Sequence, residues 1–210
     1  MRLSMVSFVK NEEHCIEFML KSIMPFVDAG YILIDDLTTD RTEEICKDYG
    51  CEIRKFAFAN FGKLRNTSLA WMKEVSDWHI LLGGDEIFDS KSGPLLRNKV
   101  EKADLAGIEC LGLVRLEWDN LEMTGEPIAV RKTPPRVCKS NGYPRIHTKK
   151  YYHAAIQGYK GFRTEEDLIK HHFRFYWMEK LGKDPEKKRA FYDDLEHLRR
   201  KERGKNIWPD

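Results

Sequence analysis

The sequence predicts an α/β fold with a mostly parallel central sheet flanked by helices, and three observations carry that expectation. Short apolar runs alternate with helix-spaced amphipathic segments through residues 1–90. Each run stops at a polar cluster rather than at a hairpin turn. The resulting order, β-α-β-α-β-α-β, implies parallel strands joined by right-handed crossovers.

Leu3 to Val9 is the first such run, ended by Lys10-Asn11-Glu12-Glu13 as a buried strand would be. Glu13 to Val27 then places Ile16, Met19, Leu20, Ile23 and Met24 at helical spacing. Gly30-Tyr31-Ile32-Leu33-Ile34 is the second strand, stopped by Asp35-Asp36. Thr38 or Thr39 is placed to cap a helix whose first turn holds Glu43 and Glu44 and which runs to about Tyr49. Gly50 closes it, and Cys51 to Phe56 is the third strand. A helix over Gly62–Glu74 leads to the strand Trp78-His79-Ile80-Leu81-Leu82 and then to Gly83-Gly84-Asp85-Glu86. Farther on, Ser92 to Lys102 reads as a short helix and Ala106 to Trp118 as a strand or hairpin arm. Thr133-Pro134-Pro135 and Asn141-Gly142-Tyr143-Pro144 are turns, and from Thr164 the pattern turns helical, ending in a charged tail over Asp184–Lys205.

The 210 residues fit one domain, with residues 1–115 as a ligand-binding half and residues 116–210 as a second, smaller mixed half with a helical tail. With 36 basic and 34 acidic residues, net charge selects no partner. Only Arg199 to Lys205 concentrates basic residues, and the interspersed Glu202 fits a solvated helix end, with at most peripheral membrane contact, better than a nucleic-acid surface. The five cysteines, Cys15, Cys46, Cys51, Cys110 and Cys138, form no C-x-x-C pair, which argues against a zinc site and for a reducing compartment. No apolar run is long enough to span a bilayer, and the N-terminus lacks a signal-peptide cleavage site, so a cytoplasmic location is expected.

Ligands of parallel sheets bind at the carboxyl ends of the strands. Val9-Lys10-Asn11, Asp35-Asp36 and Gly84-Asp85-Glu86 all fall at such ends. Carboxylates after two glycines approach a ligand closely and suit Mg²⁺ or Mn²⁺, ions that bridge protein carboxylates to phosphates. The plainer role for Asp85 and Glu86 is a solvated turn, and for Asp35 and Asp36 a helix cap. Arg65 offers a forked donor to a phosphate.

The same residues carry a resemblance. Val6-Ser7-Phe8-Val9-Lys10-Asn11-Glu12-Glu13 resembles the opening strand of family 2 glycosyltransferases with the GT-A fold. Ile34-Asp35-Asp36-Leu37-Thr38-Thr39-Asp40-Arg41-Thr42 is similar to that family's V-D-D-G-S-T-D-G-T segment, and Phe61 to Ala70 to its arginine-asparagine helix. Asp77 to Glu86 resembles its G-D-W-I-L-x-L-D-A-D-E block, which holds the D-x-D metal motif. The resemblance implies a GT-A-like sheet, a nucleoside diphosphate sugar donor, with uridine the first expectation, and a carbohydrate-bearing acceptor. It places Asp35 and Asp36 at uracil and ribose, Lys10 and Arg65 near base and diphosphate, and Asp85 on a divalent ion, Mn²⁺ or Mg²⁺. Gly83 stands where the first acid of D-x-D is expected, and Leu37 and Arg41 replace glycines of the second motif.

Beyond residue 100 the likeness thins. Pro144-Arg145-Ile146-His147 and Tyr152-His153-Ala154 are faintly similar to stretches of lipopolysaccharide-core-type members, with Ala154 where those carry a glutamate. Ile169-Lys170-His171-His172-Phe173 resembles a late I-x-H-Y segment whose histidine completes the metal site, which makes His171 and His172 candidate ligands beside Asp85 and Glu86. The alternative for the two histidines is a partly buried pair at a helix end. For the base that takes the acceptor's proton, the candidates are Asp119 and Glu117, which flank Trp118. Two other functions compete: a catalytically degenerate fold acting as a binding or scaffold module, supported by Gly83 and Ala154, and a nucleotidyltransferase. The latter lacks a glycine-rich loop after the first strand.

Overall fold

The computed structural model describes residues 1–59, 61–141, 145–146 and 156–182. Strand β1 (Leu3–Val9) feeds helix α1 (Ile16–Ile23), whose Ile16, Met19, Leu20 and Ile23 are fully buried on one stripe. Burying side chains of this size is worth roughly 1.5–3 kcal/mol each. Pro25 sits in the 3₁₀ turn Met24–Phe26 that follows, where a ring without an N–H suits a helix end. Next come β2 (Ala29–Asp35), α2 (Thr42–Asp48), β3 (Glu52–Phe56), α3 (Phe61–Val75) and β4 (Trp78–Leu81). All four strands run parallel, in the order β3-β2-β1-β4, as the crossover pattern predicts.

Helices cover both faces of this half. Leu3, Met5, Val9, Ile32, Ile34 and Ile80 pack against α1 on one face, while Val6, Tyr31, Leu33 and Leu81 meet Leu64, Trp71 and Met72 of α3 on the other. Strands buried on two faces need apolar residues at successive positions, which is why these read as unbroken apolar runs. One local expectation changes. Asp40, not Thr38 or Thr39, accepts from the Thr42 N–H at the start of α2, and the Thr39 N–H is drawn instead to Asn11.

The second half comprises β5 (Glu86–Phe88), α4 (Gly93–Leu105), β6 (Cys110–Glu117), β7 (Ala129–Lys132), β8 (Val137–Lys139), β9 (Arg145–Ile146), β10 (Ile156–Gln157), β11 (Phe162–His172) and α5 (Arg174–Lys180). Among the described residues the main sheet has nine strands, in the order β3-β2-β1-β4-β8-β6-β11-β5, with β7 also on β6. Here directions mix: β8 is antiparallel to both neighbours, β6 and β11 are parallel, and β5 is antiparallel to β11. Strands β9 and β10 form a separate antiparallel pair.

The helix expected from Thr164 is instead the 11-residue strand β11. Its acidic Glu165, Glu166 and Asp167, which suit a helix's first turn, fall in a register slip between Thr164 and Ile169, and pairing of the flanking residues to β6 and β5 overrides that signal. All five cysteines are free thiols. No helix among the described residues is long and apolar enough to cross a membrane. His147, the Tyr152-His153-Ala154 stretch and the charged tail lie outside the described residues, as does most of the Asn141–Pro144 turn.

Candidate functional site

Because β1, β2 and β4 are parallel, their carboxyl ends share one edge, and Lys10, Asn11, Asp35, Asp36 and Asp85 all lie along it. A cleft of about 410 Å³ opens there, lined by Val9, Lys10, Asn11, Asp35, Gly84 and Asp85 among others. Asn11 takes a left-handed backbone (φ 51°), a conformation asparagine tolerates. Its Oδ1 accepts from the Thr39 N–H at 2.8 Å, which ties the loop after β1 to the loop after β2. Lys10 Nζ lies 3.3 Å from Asp35 Oδ1. Asp36 is exposed and is not part of the cleft wall; its N–H donates to the Phe56 carbonyl.

Both glycines before Asp85 lie close against acidic side chains. A Cβ on Gly84 would come within 2.5 Å of Glu12 Oε2, and one on Gly83 within 2.9 Å of Asp85 Oδ1. Asp85 Oδ2 sits 3.2 Å from His172 Nε2 and 4.0 Å from Arg174 Nε. His172 Nδ1 is 2.6 Å from Glu117 Oε2, and Arg115 holds the other Glu117 oxygen at 2.7 Å. Burial pushes the His172 imidazole down, but Asp85 and Glu117 outweigh it and lift the pKa to about 9. The carboxyl of Asp85 is driven up by burial and down more strongly by His172 and Arg174, so it stays below its ordinary value.

Of the four metal candidates, only Asp85 and His172 come together. Successive strand residues point to opposite faces. His171 therefore turns away, where its Nδ1 accepts from Trp118 Nε1–H at 3.0 Å and its Nε2 meets Asp89 at 3.2 Å. That pattern puts the His171 proton on Nε2 and occupies the nitrogen lone pair. The strand placement also replaces the helix-end role considered for this pair. Glu86 is directed inward to Lys170 and to the Gly83 N–H. Burial raises its carboxyl, yet Lys170 and Arg136 hold it well below the usual range, while burial and Arg136 push Lys170 down to about 7.

Neither base candidate lines the cleft. Glu117 is engaged by His172 and Arg115; Asp119 is exposed just past β6, accepting from Asn120. Arg65 also lies off the cleft, beside Arg136, His79 and Cys138. Sequence reasoning missed Arg174 and Trp177, both of which line the cleft from α5. The Trp177 ring packs edge-on to His14, centroids 5.0 Å apart, and so seats α5 against the start of α1. The signal available was the aromatic density of Phe173-Arg174-Phe175-Tyr176-Trp177 directly after the histidines.

The donor set fits a divalent ion bound mainly through phosphate. Asp85 supplies one oxygen and His172, on giving its Nε2 proton up to an incoming ion, one nitrogen, while Glu117 at Nδ1 is the carboxylate that would orient a ligating imidazole. No group of three or more His, Cys, Asp or Glu able to hold a metal occurs among the described residues, so the remaining ligands would come from substrate and water.

No family model matches the chain, and no curated protein matches it. Solved structures do. A mycobacterial protein superposes with a TM-score of 0.58 at 15% identity, over 81% of this chain and 67% of that one. Glucosyl-3-phosphoglycerate synthase from Mycobacterium tuberculosis, in complex with Mn²⁺, UDP and phosphoglyceric acid, gives 0.55 at 17% identity, over 81% of this chain and 70% of the synthase. S. aureus TarS gives 0.55 at 14% identity, over 82% of this chain but only 36% of TarS. The fold is thus that of the GT-A glycosyltransferases.

Proposed function

We propose that this chain transfers a sugar from a nucleoside diphosphate donor, with uridine as its base, to a carbohydrate-bearing acceptor on a glycan, lipid or protein, with the help of Mn²⁺ or Mg²⁺. The observation that carries this reading is Asp85, on the wall of a cleft built from the ends of β1, β2 and β4, with His172 3.2 Å behind it.

The nucleoside enters between the Lys10–Asn11 and Asp35 loops, with Val9 and Gly84 at closest approach and Trp177 as an aromatic wall. Lys10 and Arg174 face the diphosphate. Asp85 and His172 would hold the ion, which would supply positive charge for the departing diphosphate. Glu117 and Arg115 keep His172 in place. Glu86, paired with Lys170, shapes the Gly83 turn rather than binding metal. For an inverting transfer, Asp119 takes the proton as the acceptor oxygen bonds to the sugar's anomeric carbon and the bond to the diphosphate breaks. Asp36 borders the ribose side from outside the cleft.

A screen of nucleotide sugars by thermal stabilisation, with and without Mn²⁺, tests the reading. The matching donor at ~100 times its dissociation constant adds about 2.7 kcal/mol. Stabilisation by no nucleotide sugar would refute it, as would equal stabilisation with and without metal. Binding without turnover would favour the scaffold alternative.

A further inference from the structure

Two of the five cysteines stand directly opposite one another on neighbouring strands. Cys110 opens β6, Cys138 is the middle residue of β8, and the antiparallel register pairs them. Both are buried thiols, and the Cys110 Sγ–H points at Cys138 Sγ across 3.4 Å. Leu111 and Leu113 turn their carbonyls toward β8 and β7, accepting from the Arg136 and Thr133 N–H groups. By alternation Cys110 turns its own backbone groups the other way, toward β11, so the two cysteines form a non-hydrogen-bonded pair. The Cα atoms of such a pair lie about 4.5 Å apart, inside the roughly 4.4–6.8 Å that a disulfide spans. The sulfurs need approach by only about 1.4 Å to reach bonding distance.

The cover over this pair is thin. Leu69 of α3 and Tyr159, which precedes β11, pack on it and are themselves half-buried. Cys138 also borders a cavity of about 10 Å³, shared with Ser68 and Leu69 of α3 and His79 of β4. That is room for one molecule about the size of water. Neither thiol lines the donor cleft, and neither has a part in the sugar transfer.

We propose that Cys110 and Cys138 are a site of reversible oxidation, at which hydrogen peroxide closes a cross-strand disulfide between β6 and β8. Cys138, beside the cavity, reacts first. Its sulfur attacks one peroxide oxygen, the O–O bond breaks, and one water leaves behind a sulfenic acid. The Cys110 sulfur then attacks that sulfur, the S–O bond breaks, and a second water leaves. Two thiols together give up two electrons and two protons, and the peroxide is reduced to two waters. In a reducing medium the pair rests as the dithiol. A pair at the short end of the disulfide span forms a strained bond, which thiols reopen. The closed bond makes a ring of residues 110–138, holding Arg115 and Glu117 of β6 to β8, the strand that joins the parallel half of the sheet to the mixed half. This chemistry needs no sugar donor and stands apart from the transferase reading.

The test takes the full chain, reduced and then freed of reductant, treats it with hydrogen peroxide, and reads non-reducing peptide mass maps and the melting temperature. The peptides bearing Cys110 and Cys138 should appear joined, two hydrogens lighter than their sum, and melting should rise by roughly 5–10 °C. Dithiothreitol should undo both changes. Cys110→Ser and Cys138→Ser should each abolish the joined peptide and the rise in melting. If either variant fails to fold, the wild-type peptide map still decides. Thiols at 110 and 138 that stay unoxidised, a sulfinic acid at either position without the bond, or a bond from either cysteine to a third would overturn the proposal.

Discussion

The two halves of the main sheet contribute to one site in different ways. In the parallel half, Lys10, Asn11, Asp35 and Asp85 sit at or just past the ends of β1, β2 and β4, and the strands behind them are mainly apolar. In the mixed half the functional groups are on the strands. Alternate positions of β6 read Leu111, Leu113, Arg115, Glu117, and those of β11 read Leu168, Lys170, His172. Leu111, Leu113 and Leu168 belong to the main core, so the apolar layer gives way to a charged one within a single face. A site on loops can change without disturbing the sheet; a site on strands ties binding to packing.

Asp85 is where the halves meet, and its loss should have the largest effect. Asp85→Ala should leave the fold intact, because a strand-end acid contributes little packing. Transfer should fall by about a thousandfold, corresponding to roughly 4 kcal/mol of lost leaving-group stabilisation. Full activity in that variant, or turnover unchanged by a chelator, would separate the halves functionally.

The seam itself titrates. His79 on β4 pairs with β1 on one side and with Cys138 of β8 on the other, and its Nδ1 lies 3.0 Å from Ser140 Oγ. Burial holds the imidazole neutral, lowering its pKa from 6.5 to about 4. The unfolded chain takes up this proton first as pH falls, so the stability is fully present above 6.5 and is lost on descending toward 4. Between pH 7.5 and 5 the loss is about 2 kcal/mol. Urea unfolding of wild type and His79→Leu should differ in pH dependence by that amount, and the difference isolates His79 from other titrating groups. Parallel pH curves would mean that the seam opens to water.

Legibility follows the same division. A polar cluster that interrupts an apolar run is visible in one dimension, which is why Lys10, Asn11, Asp35 and Asp85 could be read from the sequence. The pairing of His172 with Glu117 depends on β11 lying beside β6 in a register set by a slip at Thr164/Ile169. Acidic residues through that slip imitate a helix start, so the strand was hidden along with its faces. The same blindness placed Glu86 and His171 with Asp85, and put Arg65 at the diphosphate. Once the strand is known, alternation alone tells His171 from His172.

That distinction gives the third test. Glu117→Gln, behind the ligand, should cost about 10–100-fold in metal affinity or activity, and His172→Gln, at the ligand itself, at least as much. His171→Gln should leave metal affinity unchanged and alter only stability, through Trp118 and Asp89. Equal losses at 171 and 172 would contradict the assignment of the two faces.

The smallest effect expected lies within the loop half, at two neighbouring acids. Asp35 faces the cleft, lies 3.3 Å from Lys10, and accepts the Leu37 N–H at 2.9 Å, so its carboxylate both borders the cleft and shapes the turn after β2. Asp36 is exposed and holds its loop through its own backbone N–H, which no side-chain substitution removes. Removing one partner of a hydrogen bond to a charged group costs roughly 1.5–3 kcal/mol, and solvent at the cleft mouth places Asp35 at the lower end. Asp35→Ala should therefore weaken UDP about tenfold by calorimetry, and Asp36→Ala by about threefold or less. The reverse order would mean that the loop turns on binding to bring Asp36 inward, and would make the loop half the mobile one.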